Sequence, residues 1–125
     1  GDATPLRRAL QLDAVATGAT AIGLLAFATP LSTWLGLPAP LLGAAGFVLV
    51  AFVALLAWLL ARPRVSPHWA WTVIAINALW VVDSVALLWW PGIEPTALGV
   101  AFVLAQAGAV ALFAALQWIG VRRLP

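Results

Sequence analysis

Four long apolar segments dominate the sequence and decide in which solvent the chain can fold. They cover about residues 6–28, 41–61, 68–90 and 96–120, and a helix needs roughly 20 such residues to cross the hydrocarbon core of a bilayer. The 125 residues are 65% hydrophobic and only 8% charged, whereas soluble domains carry about a quarter charged residues. The sequence therefore predicts an all-α integral membrane protein in which residues 1–125 form one transmembrane domain, a four-helix bundle.

Proline and glycine mark the ends of these segments. The residues in question are Pro30, Pro38 and Pro40 in the first connection, Pro63 and Pro67 in the second, and Pro91, Gly92 and Pro95 in the third. Helices stop and restart at such residues because proline lacks a backbone N–H and glycine tolerates turns. Since all three connections are short, we expect consecutive helices to pack antiparallel in an up-down-up-down order.

The positive charges predict the orientation of the bundle. All six are arginines and lie at segment ends: Arg7, Arg8, Arg62, Arg64, Arg122 and Arg123. In a four-span topology they share one side, while the opposite connections hold only Glu94. The positive-inside rule then places both termini and the middle connection in the cytoplasm, with the chain in the inner (plasma) membrane of the cell. The arginines form no continuous stripe, so nucleic acid is not an expected partner.

Several kinds of chemistry have no residues to support them. The chain has no cysteine and a single histidine, His68, so we predict neither a disulfide nor a metal cluster. No Gly-rich phosphate loop is present either, and no cofactor is predicted. The expected surroundings are the lipid bilayer and whatever small molecule it delivers.

Polar residues inside the spans are the candidates for function. A strongly polar group there costs about 2.5 to 3.5 kcal/mol on insertion scales, so it normally faces the bundle interior and finds a partner. The helical period places Asp13, Thr17 and Thr20 on one stripe of the first span. In the third span Asn77 and Ser84 share a face of the helix. Around the helix, Trp80 lies between that face and Asp83.

A further stripe runs along the fourth span. It consists of Phe102, Gln106, Phe113 and Gln117, spaced so that all four fall on one face of a helix. If the three stripes converge, the bundle encloses a pocket with polar and aromatic walls. The predicted ligand-binding residues are Thr17, Thr20, Asn77, Trp80, Ser84, Phe102, Gln106 and Phe113.

The two carboxyls inside the spans are the predicted catalytic residues. Asp83 lies far from the arginines, and an intramembrane carboxyl without a cationic partner is a functional candidate by default. Asp13 has a second interpretation, because Arg7 and Arg8 precede it by less than two turns and could reach it at the interface. The amide and hydroxyl side chains also have a second interpretation, in which they only hold helices together.

Three stretches carry a resemblance to known proteins. They are Arg8-Ala9-Leu10-Gln11-Leu12-Asp13, the segment from Asn77-Ala78-Leu79-Trp80 to Asp83-Ser84, and the segment from Leu104-Ala105-Gln106 to Ala115-Leu116-Gln117. With these stretches the chain resembles a group of small, actinobacterial-looking four-span integral membrane proteins. It is more loosely similar to DoxX-like four-helix proteins in topology and size. The resemblance implies the fold and no catalytic residues.

Three functions follow from these features. The first is a pocket that binds a lipophilic small molecule and transforms it by acid or base chemistry at Asp83. The second is a transporter or channel of two or more copies, in which Asp83 or Asp13 carries a proton or cation and small-residue faces such as Ala101, Ala105 and Ala109 favour a homo-oligomer. The third is a structural or accessory subunit.

Overall fold

The computed structural model describes residues 2–125, and its regular structure is entirely helical. The five helices are α1 (Thr4–Ala26), α2 (Ala28–Leu35), α3 (Ala39–Leu60), α4 (Pro67–Leu87) and α5 (Ala97–Arg122). Four of them, α1, α3, α4 and α5, are long and apolar enough to cross a membrane. The predicted all-α fold with four candidate spans is confirmed, and it fits a multi-pass membrane protein.

The first connection differs from the prediction, because it contains the short helix α2 and not only a loop. Pro30 lies in the first turn of α2, where the missing N–H of proline would have no partner in the helix anyway. The chain breaks at Phe27, which leaves the helical region at φ −124° and ψ 27°. Gly36 ends α2 with a left-handed φ of 69°, the usual conformation after a helix C-terminus.

The helix ends also differ by a few residues from the predicted spans. The largest difference is at the end of α4, because Trp89 and Trp90 lie in a turn after the helix. Thr96 caps the following helix, accepting a hydrogen bond from the N–H of Gly99 at 3.0 Å. The same threonine hydroxyl donates to the carbonyl of Trp34 at 2.7 Å, so the end of α2 is docked on the start of α5.

The long helices pack in the order α3, α1, α5, α4. Close backbone contacts join α1 to α3, α1 to α5, and α4 to α5. The N-terminal part of α1 meets the C-terminal part of α3, since Leu6 and Leu10 share an apolar cluster with Leu56 and Leu59. Helices α3 and α4 follow each other in the chain and were therefore expected to pack together. Their backbones, however, make almost no close approach to each other.

All six arginines lie at one end of the bundle, which we call the arginine end; the opposite end, which holds α2, is the α2 end. Arg7 crosses from α1 to the end of α3 and donates to the carbonyl oxygens of Leu60 at 3.1 Å and Pro63 at 2.9 Å. A cation is favourable there because a helix C-terminus carries partial negative charge. The arginine end therefore ties α1 to α3.

Two glycines allow backbones to approach closely. A Cβ on Gly120 of α5 would lie 2.7 Å from the Cα of Leu6 in α1, and one on Gly99 would lie 1.9 Å from the carbonyl oxygen of Leu35. Neither site can accept a methyl group without moving a helix. Gly108, also in α5, has no atom within 4 Å of its Cβ position.

We therefore expect Gly120→Ala to destabilise the bundle and Gly108→Ala to leave it intact. Overpacking a close contact typically costs about 1 to 3 kcal/mol, whereas alanine is the better helix former at an open position. Thermal unfolding of the detergent-solubilised protein, followed by circular dichroism, measures both variants. Equal unfolding temperatures for the two variants would contradict the close contact between α1 and α5.

Candidate functional site

A closed hydrogen-bond network surrounds Asp13 where α1, α4 and α5 meet. Asn77 Nδ2 donates to Asp13 Oδ2 at 2.8 Å, and Gln117 Nε2 donates to the same oxygen at 2.7 Å. Thr17 Oγ1 donates to Asp13 Oδ1 at 2.7 Å, and Asn77 Nδ2 also donates to Gln117 Oε1 at 3.0 Å. We call these four residues the Asp13 network, and it links three of the four long helices.

The network holds a carboxyl group with no cation beside it. Asp13 is 0% exposed, and every hydrogen bond it makes is donated to it. That is the bonding pattern of an ionised carboxylate, which can only accept. Arg7 does not reach it, since its guanidinium is held by the carbonyls at the end of α3, and Arg8 is exposed. The interpretation of Asp13 as an arginine-paired interfacial group is therefore not met.

The network is fully satisfied. Within residues 2–125 no buried side-chain nitrogen or oxygen lacks a hydrogen-bond partner. Removing one member would leave its partners buried without a bond, which costs about 1 to 3 kcal/mol per group. The network is thus a strong constraint on how α4 and α5 sit on α1.

A cavity of about 410 Å³ lies nearer the α2 end, between α3 and α4. Its apolar lining is Leu24, Leu37, Leu41, Leu42, Ala44, Ala45, Val48, Leu49, Leu87, Phe102 and Val103, and its polar lining is Thr20, Trp80, Asp83, Ser84 and Gln106. We call this cavity the cleft. Its polar residues come from α1, α4 and α5, whereas α3 contributes an entirely apolar wall.

The cleft opens sideways, on the surface of the bundle that would face lipid. Ala44 and Val48 of α3 and Asp83 of α4 line the cleft and are also exposed. Near their short connection, Leu56 of α3 and Val73 of α4 belong to one apolar cluster, and towards the α2 end Leu87 of α4 packs against a second cluster that includes Leu42 of α3. The opening remains because the backbones of α3 and α4 make almost no close approach to each other.

The floor of the cleft is a bonded pair of side chains. Trp80 Nε1 donates to Gln106 Oε1 at 2.9 Å, and Gln106 Nε2 donates to the carbonyl of Val103 at 3.1 Å. Thr20 Oγ1 donates to the carbonyl of Ala16 at 2.9 Å. Trp80 and Thr20 have thereby used their only side-chain donors, and Gln106 has used one of its two N–H groups. The Asp83 carboxyl, which is exposed at the mouth, and the Ser84 hydroxyl are the other polar groups that a ligand would meet.

A second, small cavity of about 50 Å³ lies beneath the floor. It shares Thr20, Trp80 and Gln106 with the cleft and also touches Thr17 and Phe113. Because Thr17 bonds Asp13, the small cavity lies between the cleft and the Asp13 network.

The predicted site residues therefore separate into three groups. Asp83, Ser84, Trp80, Gln106, Thr20 and Phe102 line the cleft; Thr17 and Phe113 line the small cavity; Asp13 and Asn77 form the network with Thr17. The single predicted pocket is thus two cavities and a buried network.

Gln117 is the important residue that the sequence-based site prediction omitted. It lies on the predicted stripe of α5, eleven residues after Gln106, and eleven residues are close to three helical turns. It lies next to Trp118 near the arginine end, yet it is 0% exposed. The available signal was the shared face with Gln106.

No protein-family model, curated protein or solved structure matches the chain. The resemblance to small bacterial four-span proteins therefore stays a prediction.

We expect Gln117→Leu to lower the stability of the bundle, because it removes one donor to Asp13 and the acceptor of Asn77. The expected loss is about 1 to 3 kcal/mol in the free energy of unfolding. Gln11→Leu is the matched control, since Gln11 is exposed on α1. Denaturant or thermal unfolding in detergent compares the two. A Gln117→Leu variant as stable as its control would show that the network does not hold the helices.

Proposed function

We propose that the protein binds a lipophilic small molecule in the cleft, and that this molecule enters from the bilayer between α3 and α4. The observation that supports this proposal is a cavity of about 410 Å³ with mainly apolar walls and a mouth at the level of the spans. Small-molecule sites typically measure about 300 to 1,000 Å³ and combine apolar walls with a few polar groups. Separation of α3 from α4 supports lateral entry.

The polar wall indicates which part of the ligand would face α4. Asp83 can only accept hydrogen bonds when ionised, and Ser84 beside it can donate or accept. A ligand that donates a hydrogen bond, through a hydroxyl or an amine, fits this wall. The Trp80 ring one turn away adds a flat surface for an unsaturated or cationic group.

Acid or base chemistry at the ligand is part of the same proposal. Asp83 would accept a proton from one atom of the bound molecule and return it to a neighbouring atom, which is an isomerisation. Such a reaction needs a carboxyl in contact with the substrate and no bound cofactor. In the opposite order, a protonated Asp83 would first give its proton to the substrate and then take one back from another atom, and Trp80 would stabilise the positive charge that develops in between.

We place both termini and the connection between α3 and α4 on the cytoplasmic side of a bacterial inner membrane. This orientation rests on the six arginines at the arginine end and on the positive-inside rule. The cleft would then open in the outer leaflet.

The first test is native mass spectrometry of the purified protein, which reports both a retained small molecule and the number of chains. We expect the wild type to carry a defined apolar compound. Ala45→Phe should lose the compound, because Ala45 lines the cleft, whereas Ala54→Phe on the exposed surface of α3 should keep it. Retention in both variants, or no compound in the wild type, would argue against the cleft as a binding site. An empty, well-folded oligomer would favour the transporter alternative.

Asp83→Asn tests the polar wall separately. The change keeps the size of the side chain and removes the charge, and a hydrogen bond to a charged group contributes about 1.5 to 3 kcal/mol. We therefore expect the affinity for the retained compound to fall by roughly tenfold to a hundredfold. Unchanged affinity, measured by titration of the delipidated protein, would exclude Asp83 from the site, and loss of folding in this variant would support the structural-subunit alternative.

A further inference from the structure

We infer that Asp13 is a proton-binding site inside the bundle, and that protons reach it from the cleft through Thr17. The site lies below the cleft floor and uses different atoms from the proposed ligand contacts. It would exist whether or not the cleft binds a ligand.

The two oxygens of Asp13 have different kinds of partner. Oδ2 accepts from two amide groups, those of Asn77 and Gln117, and an amide nitrogen can only donate. Oδ1 accepts from the Thr17 hydroxyl, which can rotate and become an acceptor. A proton can therefore bind at Oδ1 without disturbing the amide bonds that hold α4 and α5.

The small cavity supplies a route to this oxygen. Its volume of about 50 Å³ exceeds the roughly 10 to 15 Å³ that one water needs. A water there would lie beside Thr17 and Thr20, two hydroxyls that can accept hydrogen bonds from it. Thr20, Leu49, Trp80 and Gln106 line both this cavity and the cleft, and they form the boundary between the two.

The proton transfer conserves atoms and charge. A hydronium ion in the small cavity gives a proton to Thr17 Oγ1 as the existing hydroxyl hydrogen passes from Thr17 to Asp13 Oδ1. The products are a water molecule, an unchanged threonine and a neutral carboxylic acid. Release follows the same steps in reverse.

Apolar packing closes the path from Asp13 towards the arginine end, and no charged side chain there is paired with the Asp13 carboxyl. Leu6, Leu10, Leu56, Leu59 and Val73 are buried in the cluster at the arginine end. The titratable groups on the helices that carry the network are Arg7 and Arg8 on α1, His68 and Asp83 on α4, and Arg122 on α5, with Arg123 directly after α5. None of them bonds Asp13: Arg7 is held by carbonyls, and the others are exposed. Helices α2 and α3 contain no titratable side chain.

A proton fits the site better than a metal cation. Neither cavity includes Asp13 in its lining, so no space for a larger ion adjoins the carboxyl in the described chain. The two amides also direct their nitrogens towards Oδ2, whereas a cation would need their oxygens. Sodium binding is nevertheless a distinct outcome of the test below.

Infrared spectroscopy across a pH series detects the proton directly, through the C=O stretch of a protonated carboxylic acid. The measurement uses Asp83→Asn as its background, which leaves Asp13 as the one carboxyl within the spans; Asp2 and Glu94 lie outside them and are exposed. We expect a buried-acid band that grows as the pH falls and is missing when Asp13→Asn is added. Circular dichroism at each pH verifies the fold.

Variants of Thr17 test whether its hydroxyl relays protons to Asp13 or has only a structural role. In Thr17→Val, the deuterium exchange of the Asp13 acid band should slow by about 10²-fold or more, while Thr17→Ser should exchange at nearly the wild-type rate. No acid band at any pH at which the protein stays folded would overturn the inference, as would a band that disappears on adding sodium at constant pH. Fast exchange in Thr17→Val would overturn the route through Thr17.

Discussion

The arrangement of this bundle depends on the burial of one carboxyl group. Asp13 is enclosed by apolar helices without a cation, so it needs hydrogen-bond donors, and α1 itself supplies only Thr17. The other donors are Asn77 on α4 and Gln117 on α5, because leaving a buried charge without bonds is far more costly than ordering two side chains. This requirement brings α4 and α5 onto α1. Helix α3 has no member in the network and is held by apolar packing on α1 and by the bonds of Arg7 to the carbonyls at its end.

The cleft forms because α4 is bonded into the Asp13 network and α3 is not. Helix α4 is bonded to α1 and α5 near its middle, and α3 packs on the other side of α1, so the backbones of α3 and α4 make almost no close approach to each other. The gap left towards the α2 end is lined by the apolar wall of α3 and the polar residues of α4. Membrane helices gain little from apolar contact with one another, because lipid tails cover the same surface as well. Lipid or a lipophilic ligand can therefore occupy the gap at little cost.

The sequence predicted the four spans and the separation of the arginines from Asp83, because span length and proline positions are local properties. It did not predict α2, since Pro30 was taken as a helix breaker and in fact lies in the first turn of a helix. It also left open where Asp83 points. Asp83 comes six residues after Asn77 and therefore points about 120° away from the face that Asn77 uses. Only the position of α3 decides whether that direction leads to lipid or into the cleft. The role of Gln117 was likewise undetermined, because its burial depends on how α5 crosses α1.

Pulsed electron paramagnetic resonance in lipid nanodiscs measures the separation of α3 and α4 directly. The chain contains no cysteine, so spin labels can be introduced at chosen pairs: Ala44 with Leu87 across the cleft, and Ala57 with Thr72 near the connection. We expect a longer and broader distance distribution for the cleft pair, and we expect it to narrow when the cleft is filled. Equally short, narrow distributions for both pairs would mean that α3 and α4 pack along their full length, and would contradict the lateral cleft.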